Sequence, residues 1–167
     1  MQTYFQGQIN KKEYKKAFEL HFYQRRWLKW ICGLFLGIIL FSVVIAISRD
    51  PSSLQYFFPS IIFPLVFLTF PWWTIYLQAA SYNQKGNIYR TPINGLIDDT
   101  GISINGQVVK SNFLWKAFTH YKTTDEMVLL YQGKSCFNIF TASLFSNKDE
   151  WEKFQNELKV RINKNSK

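Results

Sequence analysis

Histidine and cysteine are the side chains best suited to chemistry, and this sequence contains two of each. Neither His21 nor His120 has a sequence neighbour that suggests a catalytic triad, although distant residues can assemble one in space. We interpret His21 as lining a leader helix and His120 as lying on a strand. Cys32 lies in an apolar run and Cys136 alternates with neighbouring apolar residues on a predicted strand, so both are interpreted as packing residues.

Three acidic pairs could indicate carboxylate chemistry: Asp98-Asp99, Asp125-Glu126 and Asp149-Glu150. Each pair lies where turns or helix starts favour acidic side chains. The spacing of the cysteines and histidines matches no metal site, and the sequence has no glycine-rich phosphate loop. The sequence therefore predicts a protein that is not an enzyme, with no catalytic residue, no metal and no cofactor.

Apolar residues are unevenly distributed along the 167 residues. Hydrophobic residues make up 47% and aromatic residues 19%, whereas the mean hydropathy is only −0.12 because very polar stretches offset very apolar ones. Such a composition excludes a disordered chain. The length allows one modest folded domain beside any membrane segments.

Two long apolar runs are interpreted as transmembrane helices. Residues 30–48 carry no charge, and residues 57–77 form the apolar core of the next charge-free run. Each run is close to the length of about 20 residues that spans a bilayer. Residues 49–56 then form an external turn. Gly33 and Gly37 match a small-residue helix-packing pattern, which favours packing of the two spans together, with contact in a homo-oligomer as the second interpretation.

The basic residues orient these predicted spans. Most of the net charge of +9 lies in the leader before residue 30, so the positive-inside rule places both termini in the cytoplasm. This predicts a multi-pass protein of a bacterial inner or plasma membrane, with the lipid bilayer as a partner. Nucleic-acid binding is not expected, because the remaining charges alternate in sign. The predicted membrane-interface residues are Arg25, Arg26, Trp27, Lys29, Trp30, Trp72, Trp73, Tyr76 and Lys85.

The leader, residues 1–29, is predicted to contain a strand-like segment over residues 4–9 followed by an amphipathic helix. Asn10 is the predicted N-cap, and Glu13 three residues later completes a capping-box pattern. This helix could lie on an anionic membrane surface or dock on the tail domain, and the sequence leaves both open. Residues 78–90 are interpreted as a linker.

Residues 91–167 consist of short alternating runs that are typical of antiparallel strands. Asn105-Gly106 predicts a tight hairpin turn. The last element is predicted to be a helix capped by Ser146 or Asn147. A strongly bent antiparallel sheet followed by one helix is the order of a pleckstrin-homology-like (PH-like) domain. Its predicted core consists of Trp115, Phe118, Tyr131, Phe145, Trp151, Phe154 and Leu158.

Several short motifs of this tail resemble those of the YcxB-like family of small bacterial membrane proteins. The matching residues are Asp99-Thr100-Gly101-Ile102, Trp115-Lys116-Ala117-Phe118, Glu126, Leu130-Tyr131, Phe145, Trp151 and Phe154. The resemblance implies a leader helix and two transmembrane helices before a PH-like domain. One departure is that Phe140-Thr141-Ala142 replaces a Pro-Lys-Arg run that is frequent in the family, which argues against a basic ligand site there.

The expected fold class is an α+β membrane protein, with a two-helix transmembrane hairpin and a small antiparallel PH-like β-barrel or sheet closed by a C-terminal helix. The first functional hypothesis is a non-enzymatic two-pass membrane protein that presents an interaction or scaffold domain to a protein partner or small ligand. The alternative is a ligand-triggered membrane effector of the antiphage type, whose barrel senses a nucleotide signal. That alternative needs basic residues that converge inside the barrel, such as Lys110, Lys116, Lys122 or Lys134.

Overall fold

The computed structural model describes residues 2–23, 26–49, 62, 66, 69 and 72–162. The chain divides into two compact units. The first unit combines Met1–His21 with Gln78–Lys167, and the second is Phe22–Leu77. Residues 1–21 of the predicted leader therefore lie in the same unit as the predicted tail.

Two antiparallel sheets form the framework of the first unit. The four-stranded sheet has the order β1-β2-β3-β4, and the three-stranded sheet has the order β5-β6-β7. The strands are β1 (Thr3–Gly7), β2 (Ile93–Ile97), β3 (Gly101–Gly106), β4 (Lys110–Leu114), β5 (His120–Thr123), β6 (Met127–Tyr131) and β7 (Phe137–Thr141). The helices are α1 (Lys11–Tyr23), α2 (Arg26–Arg49), α3 (72–81) and α4 (Lys148–Ile162).

The leader strand β1 completes the four-stranded sheet by pairing with β2, from Thr3 opposite Ile97 to Gly7 opposite Ile93. Phe5 is opposite Gly95 in the ladder. A Cβ atom added to Gly95 would lie only 2.2 Å from Cζ of the Phe5 ring. A side chain at position 95 would therefore displace this ring. The glycine fixes the place at which β1 docks.

Helix α1 starts as the sequence predicts and docks on the sheets. The backbone N–H of Asn10 donates to Glu13 Oε2, and the N–H of Glu13 donates to Asn10 Oδ1, both at 2.9 Å. This reciprocal pair is a capping box. Tyr14, Ala17 and His21 are buried. Of the two interpretations left open for this helix, the structure shows docking on the tail domain.

Aromatic rings fill the space between the sheets and α4. Phe5 of β1 meets Phe140 of β7 edge to face, with 5.5 Å between the ring centroids. Phe140 contacts Phe154 of α4 at 5.3 Å, and Phe154 stacks on Phe145 at the same distance. Because burying an aromatic side chain removes a large apolar area from water, this chain of rings couples β1, β7 and α4.

Helix α4 is held at both ends by polar contacts. Asn147 Oδ1 accepts a hydrogen bond from the N–H of Glu150 at 2.8 Å, which confirms one of the two predicted caps. Near the other end, Arg161 pairs with Glu157 at 2.6 Å and with Asp99 of the β2–β3 turn. The Glu157 carboxylate, and then that of Asp99, raise the pKa of Arg161. Trp151, Phe154, Leu158 and Ile162 form a buried apolar stripe on α4.

The hairpin between β3 and β4 differs from the prediction. Asn105 is not in the turn but pairs with Lys110 inside the ladder. Gly106 N donates to the carbonyl of Val109 at 2.7 Å, so Gln107 and Val108 are the central turn residues. The ladder gains two residue pairs, Asn105–Lys110 and Gly106–Val109, and this gain outweighs the local turn preference of Asn-Gly.

The second unit corrects the membrane prediction. Helix α2 covers the predicted first span, 30–48, whereas much of the predicted second span, 57–77, lies outside the described residues. Within the described part of the chain, no helix has the length and apolar character needed to cross a membrane. The fold class that stands is α+β with antiparallel sheets, and the predicted transmembrane hairpin is wrong.

Three further predictions fall with that hairpin: a two-pass membrane protein, a membrane effector of the antiphage type, and a multi-pass location in an inner or plasma membrane. Crossing a bilayer requires a single helix that stays apolar over about 20 residues, and the described helices do not meet that requirement.

Truncating Phe154 tests the aromatic core. Phe154 is fully buried, so Phe154→Ala should lower the free energy of unfolding by about 3–5 kcal/mol through lost burial and a residual cavity. Urea denaturation of the full chain measures this loss. Val160→Ala on the same helix is the matched control, because Val160 is 60% exposed and its truncation should change stability by less than about 0.5 kcal/mol. Equal losses for the two variants would contradict this account of the core.

Candidate interaction site

The aromatic residues predicted as the tail core are brought together. Two of them have satisfied indole groups: Trp115 Nε1 donates to the carbonyl of Asp98 at 2.9 Å, and Trp151 Nε1 donates to that of Asp125 at 2.8 Å. The predicted core residues Trp115, Phe118, Tyr131, Phe145, Trp151, Phe154 and Leu158 are all buried. These residues therefore build the fold and are not available to bind a partner.

The predicted membrane-interface residues fall in both units. Trp30, Trp72, Trp73 and Tyr76 are exposed in the second unit, and Lys85 is exposed in the first. Arg25 lies outside the described residues. The backbone positions of Arg26, Trp27 and Lys29 belong to α2. The membrane-interface role of these residues stays a prediction.

Gly33 and Gly37, predicted to pack helices together, lie on α2. A Cβ atom added at either position would meet no described atom within 4 Å. No helix therefore packs closely on these glycines within the described residues, and their helix-packing role stays a prediction.

The two histidines, which are far apart in sequence, converge on Tyr131. His21 Nδ1 lies 2.8 Å from the Tyr131 hydroxyl, and this pair is buried. The His120 ring stacks on the ring of Tyr131 with 4.2 Å between centroids. Lys122 Nζ lies 5.8 Å from the same ring centroid and donates to the carbonyl of His21 at 2.9 Å. Sequence spacing gave no indication of this cluster.

The surroundings of His120 do not form a nucleophile–base pair. Its Nδ1 lies 3.0 Å from the Thr119 hydroxyl, which also donates to the carbonyl of Tyr131 at 3.3 Å. The direction of the Thr119–His120 contact depends on the His120 tautomer, so the contact alone does not make the Thr119 hydroxyl a nucleophile. Among the described contacts, no carboxylate orients His120. The described residues also contain no cluster of three or more metal-ligating side chains.

The basic residues that nucleotide sensing would require do not converge inside the domain. Lys110, Lys116 and Lys134 are exposed, and the half-buried Lys122 places its ammonium group on the carbonyls of α1. The interior is instead filled by large apolar side chains. The geometry therefore gives no support to a basic pocket inside the sheets.

Strand β4 presents an open edge. In an antiparallel ladder, hydrogen-bonded pairs alternate with non-hydrogen-bonded pairs. The bonded contacts Gly106–Val109 and Thr100–Trp115 bracket the β3–β4 ladder, so Ser111 and Phe113 direct their backbone groups toward β3. The N–H and C=O groups of Lys110, Asn112 and Leu114 therefore face outward. The side chains of these three residues are also exposed.

The other sheet edges are covered at least in part. Strand β1 lies against the 3-10 turn Ala142–Leu144. A Cβ atom added to Gly7 would lie 3.0 Å from Cδ2 of Leu144. The end of β5 receives hydrogen bonds from Gln155 of α4. On β7, the N–H of Ile139 donates to the buried Tyr89 hydroxyl at 3.3 Å, and burial raises the pKa of that phenol. Among the described residues, no comparable contact covers β4.

An open groove adjoins the Leu114 end of β4, with a volume of about 610 Å³. Its apolar rim includes Leu114 and Val160, which are 51% and 60% exposed. Its polar wall contains Lys116 and Arg161, and the guanidinium of Arg161 lies 5.5 Å from the Trp115 ring centroid. The edge of β4 and this groove together are here called the β4 surface. It offers backbone groups for strand pairing and an apolar groove in which a side chain can pack.

Nothing in the sequence marks Asn112 and Leu114 as functional candidates, because no sequence pattern shows which strand will lie at the edge of a sheet. An exposed leucine next to a 3-10 turn is the only local signal, and single exposed apolar residues are common.

Comparison with known families finds one match in this part of the chain. Residues 97–158 match the model of the YcxB-like protein family, which confirms the resemblance over the segment from the end of β2 into α4. The matched segment contains β4 and most of the β4 surface. No curated protein and no solved structure matches the chain.

His120 should make stability depend on pH. Burial, and then the nearby Lys122 charge, lower the pKa of His120 below its ordinary 6.5. The unfolded chain therefore binds this proton more readily than the folded chain, and stability falls as pH drops through about 6.5. His120→Phe keeps a ring against Tyr131 without the titration. The free energy of unfolding, measured with urea at several pH values between about 7 and 5, should decline less steeply for this variant than for the unmodified chain. Identical slopes of the free energy against pH for the two proteins would contradict the prediction.

Proposed function

We propose that the first unit is a non-enzymatic protein-interaction module that accepts an extended polypeptide strand along β4. The observation that carries this proposal is the row of outward backbone groups at Lys110, Asn112 and Leu114. An exposed strand edge is a template for another strand, since its donors and acceptors are already aligned. Strand addition to a sheet edge is a general mode of peptide recognition.

The two parts of the β4 surface have different roles in this proposal. Backbone pairing along the edge supplies affinity, at about 0.5–1.5 kcal/mol net for each hydrogen bond. The groove beside Leu114 supplies selectivity, because an apolar side chain of the added strand can pack between Leu114 and Val160.

A lysine on an edge strand can also serve only to prevent aggregation. Lys110 fits that role, but it lies at the hairpin end of the strand. Asn112 and Leu114 carry no charge, and the exposed Leu114 increases the risk of unwanted pairing. An edge strand with a charged residue at one end and an exposed apolar residue at the other is better suited to pairing with a specific strand than to remaining unpaired.

The absence of catalysis is part of the proposal. It is supported by the described contacts of His120, which include the Thr119 hydroxyl and the Tyr131 ring but no carboxylate. The cluster around Tyr131 is supported by stacking and by the docking of α1, so a structural role accounts for both histidines.

Removing one outward N–H from β4 tests the proposed function. The full chain is produced in its host cell with a photoreactive amino acid in place of Leu114, and adducts are mapped by mass spectrometry. We expect adducts to one short segment, reduced at least about tenfold by Asn112→Pro, because proline removes a donor that faces away from the ladder. Asn112→Ala keeps that donor and should retain the adducts.

Two controls keep the test interpretable. Asn112→Pro should unfold at a urea concentration close to that of the unmodified chain, because edge positions facing away from the ladder tolerate proline. A photoreactive residue in place of Lys153, exposed on α4, reports random encounters. The proposal would be overturned if adducts at position 114 were no more abundant than adducts at position 153. It would also be overturned if Asn112→Pro did not reduce the adducts at position 114.

A further inference from the structure

We infer that the strand received by β4 is β4 of a second copy of this chain, paired antiparallel about a two-fold axis at Asn112. This inference rests on the proposed function and names its partner. It follows from the alternation of outward groups along the strand and from the side chains that such a pairing brings together.

The register of β4 is complementary to itself. Outward backbone groups belong to Lys110, Asn112 and Leu114, which are spaced by two residues. A two-fold axis at Asn112 places Asn112 opposite its own equivalent. It also places Lys110 of each copy opposite Leu114 of the other, which gives two further pairs. All three pairs are then hydrogen-bonded pairs. An axis at position 111 or 113 leaves only two such pairs, so the centre at Asn112 makes the fullest use of the edge.

The side chains on this edge are compatible with self-pairing. Lys110 faces an exposed leucine, so its aliphatic stem can cover apolar surface while its ammonium group stays in water. The two Lys110 residues are offset by four positions, about 14 Å along the strands. This separation exceeds the Debye length of about 8 Å at physiological ionic strength, so their repulsion is screened.

Self-pairing also accounts for exposed apolar side chains at both ends of the strand. Val108 in the hairpin turn is 55% exposed and Leu114 is 51% exposed. In this register Val108 becomes a diagonal neighbour of Leu114 in the second copy, within reach of side-chain contact. At the centre, the Asn112 carboxamides each offer a donor and an acceptor to the other.

The pairing joins two four-stranded sheets into one continuous sheet across the two-fold axis. Three residue pairs bury less surface than the about 1,000 Å² expected of a stable interface. Association through β4 alone is therefore weak and concentration-dependent, which suits a covalent trap better than a measurement of mass.

A disulfide trap tests the axis. Asn112→Cys is placed in a full-length Cys32→Ser, Cys136→Ser background, which removes both native thiols. Hydrogen-bonded antiparallel pairs have Cα atoms about 5.5 Å apart, within the range for a disulfide. Mild oxidation should yield a cross-linked dimer at least about tenfold faster than Lys153→Cys in the same background. Association through any other surface would not favour position 112 in this way.

The register is tested by mixing two variants. Lys110→Cys and Leu114→Cys should each form few dimers alone, whereas an equal mixture should form mixed dimers. Equal rates at positions 112 and 153, or no gain on mixing, would overturn the inference. If photoreactive adducts at 114 then map to another protein and remain sensitive to Asn112→Pro, the proposed function survives without self-pairing; if they are absent, both fail.

Discussion

The pairing of β1 with β2 is the constraint on which the first unit depends. It joins the start of the chain to a strand that begins at Ile93, and it places Phe5 at the centre of the aromatic core. The cost of closing a long loop grows only slowly with its length. Burial of the aromatic rings therefore offsets the entropic cost of closing the loop between β1 and β2. Because α1 follows β1 directly, this pairing also places α1 against the sheets.

This arrangement directs function to the surface. Phe118, Phe140, Phe154 and Tyr131 are fully buried, so the space between the sheets is occupied by the protein's own side chains. The open sites are then the sheet edges and the grooves beside them. The edges of β1, β5 and β7 make internal contacts, whereas the described residues make no comparable contact with the edge of β4.

Local patterns in the sequence predicted local structure well. The Asn10–Glu13 capping box and the Asn147 cap of α4 were predicted because their partners lie within four residues. The YcxB-like resemblance was also found from short motifs, and it is confirmed over residues 97–158. The aromatic residues assigned to the core are buried because large apolar side chains in an alternating pattern have few other places to go.

Longer-range features were beyond sequence reasoning. The convergence of both histidines on Tyr131 depends on α1 docking beside β6, and the open β4 edge depends on strand order. The membrane prediction failed for a related reason, because hydrophobicity of a run does not establish a spanning helix.

The distance in sequence between β1 and β2 has a consequence for synthesis. Gly7 is made 86 residues before its partner Ile93, and ribosomes add about 5–20 residues each second. The first strand must therefore wait roughly 4–17 s before β2 exists. During that interval Phe5 has no native place to pack, because its ring partners Phe140 and Phe145 are made later still.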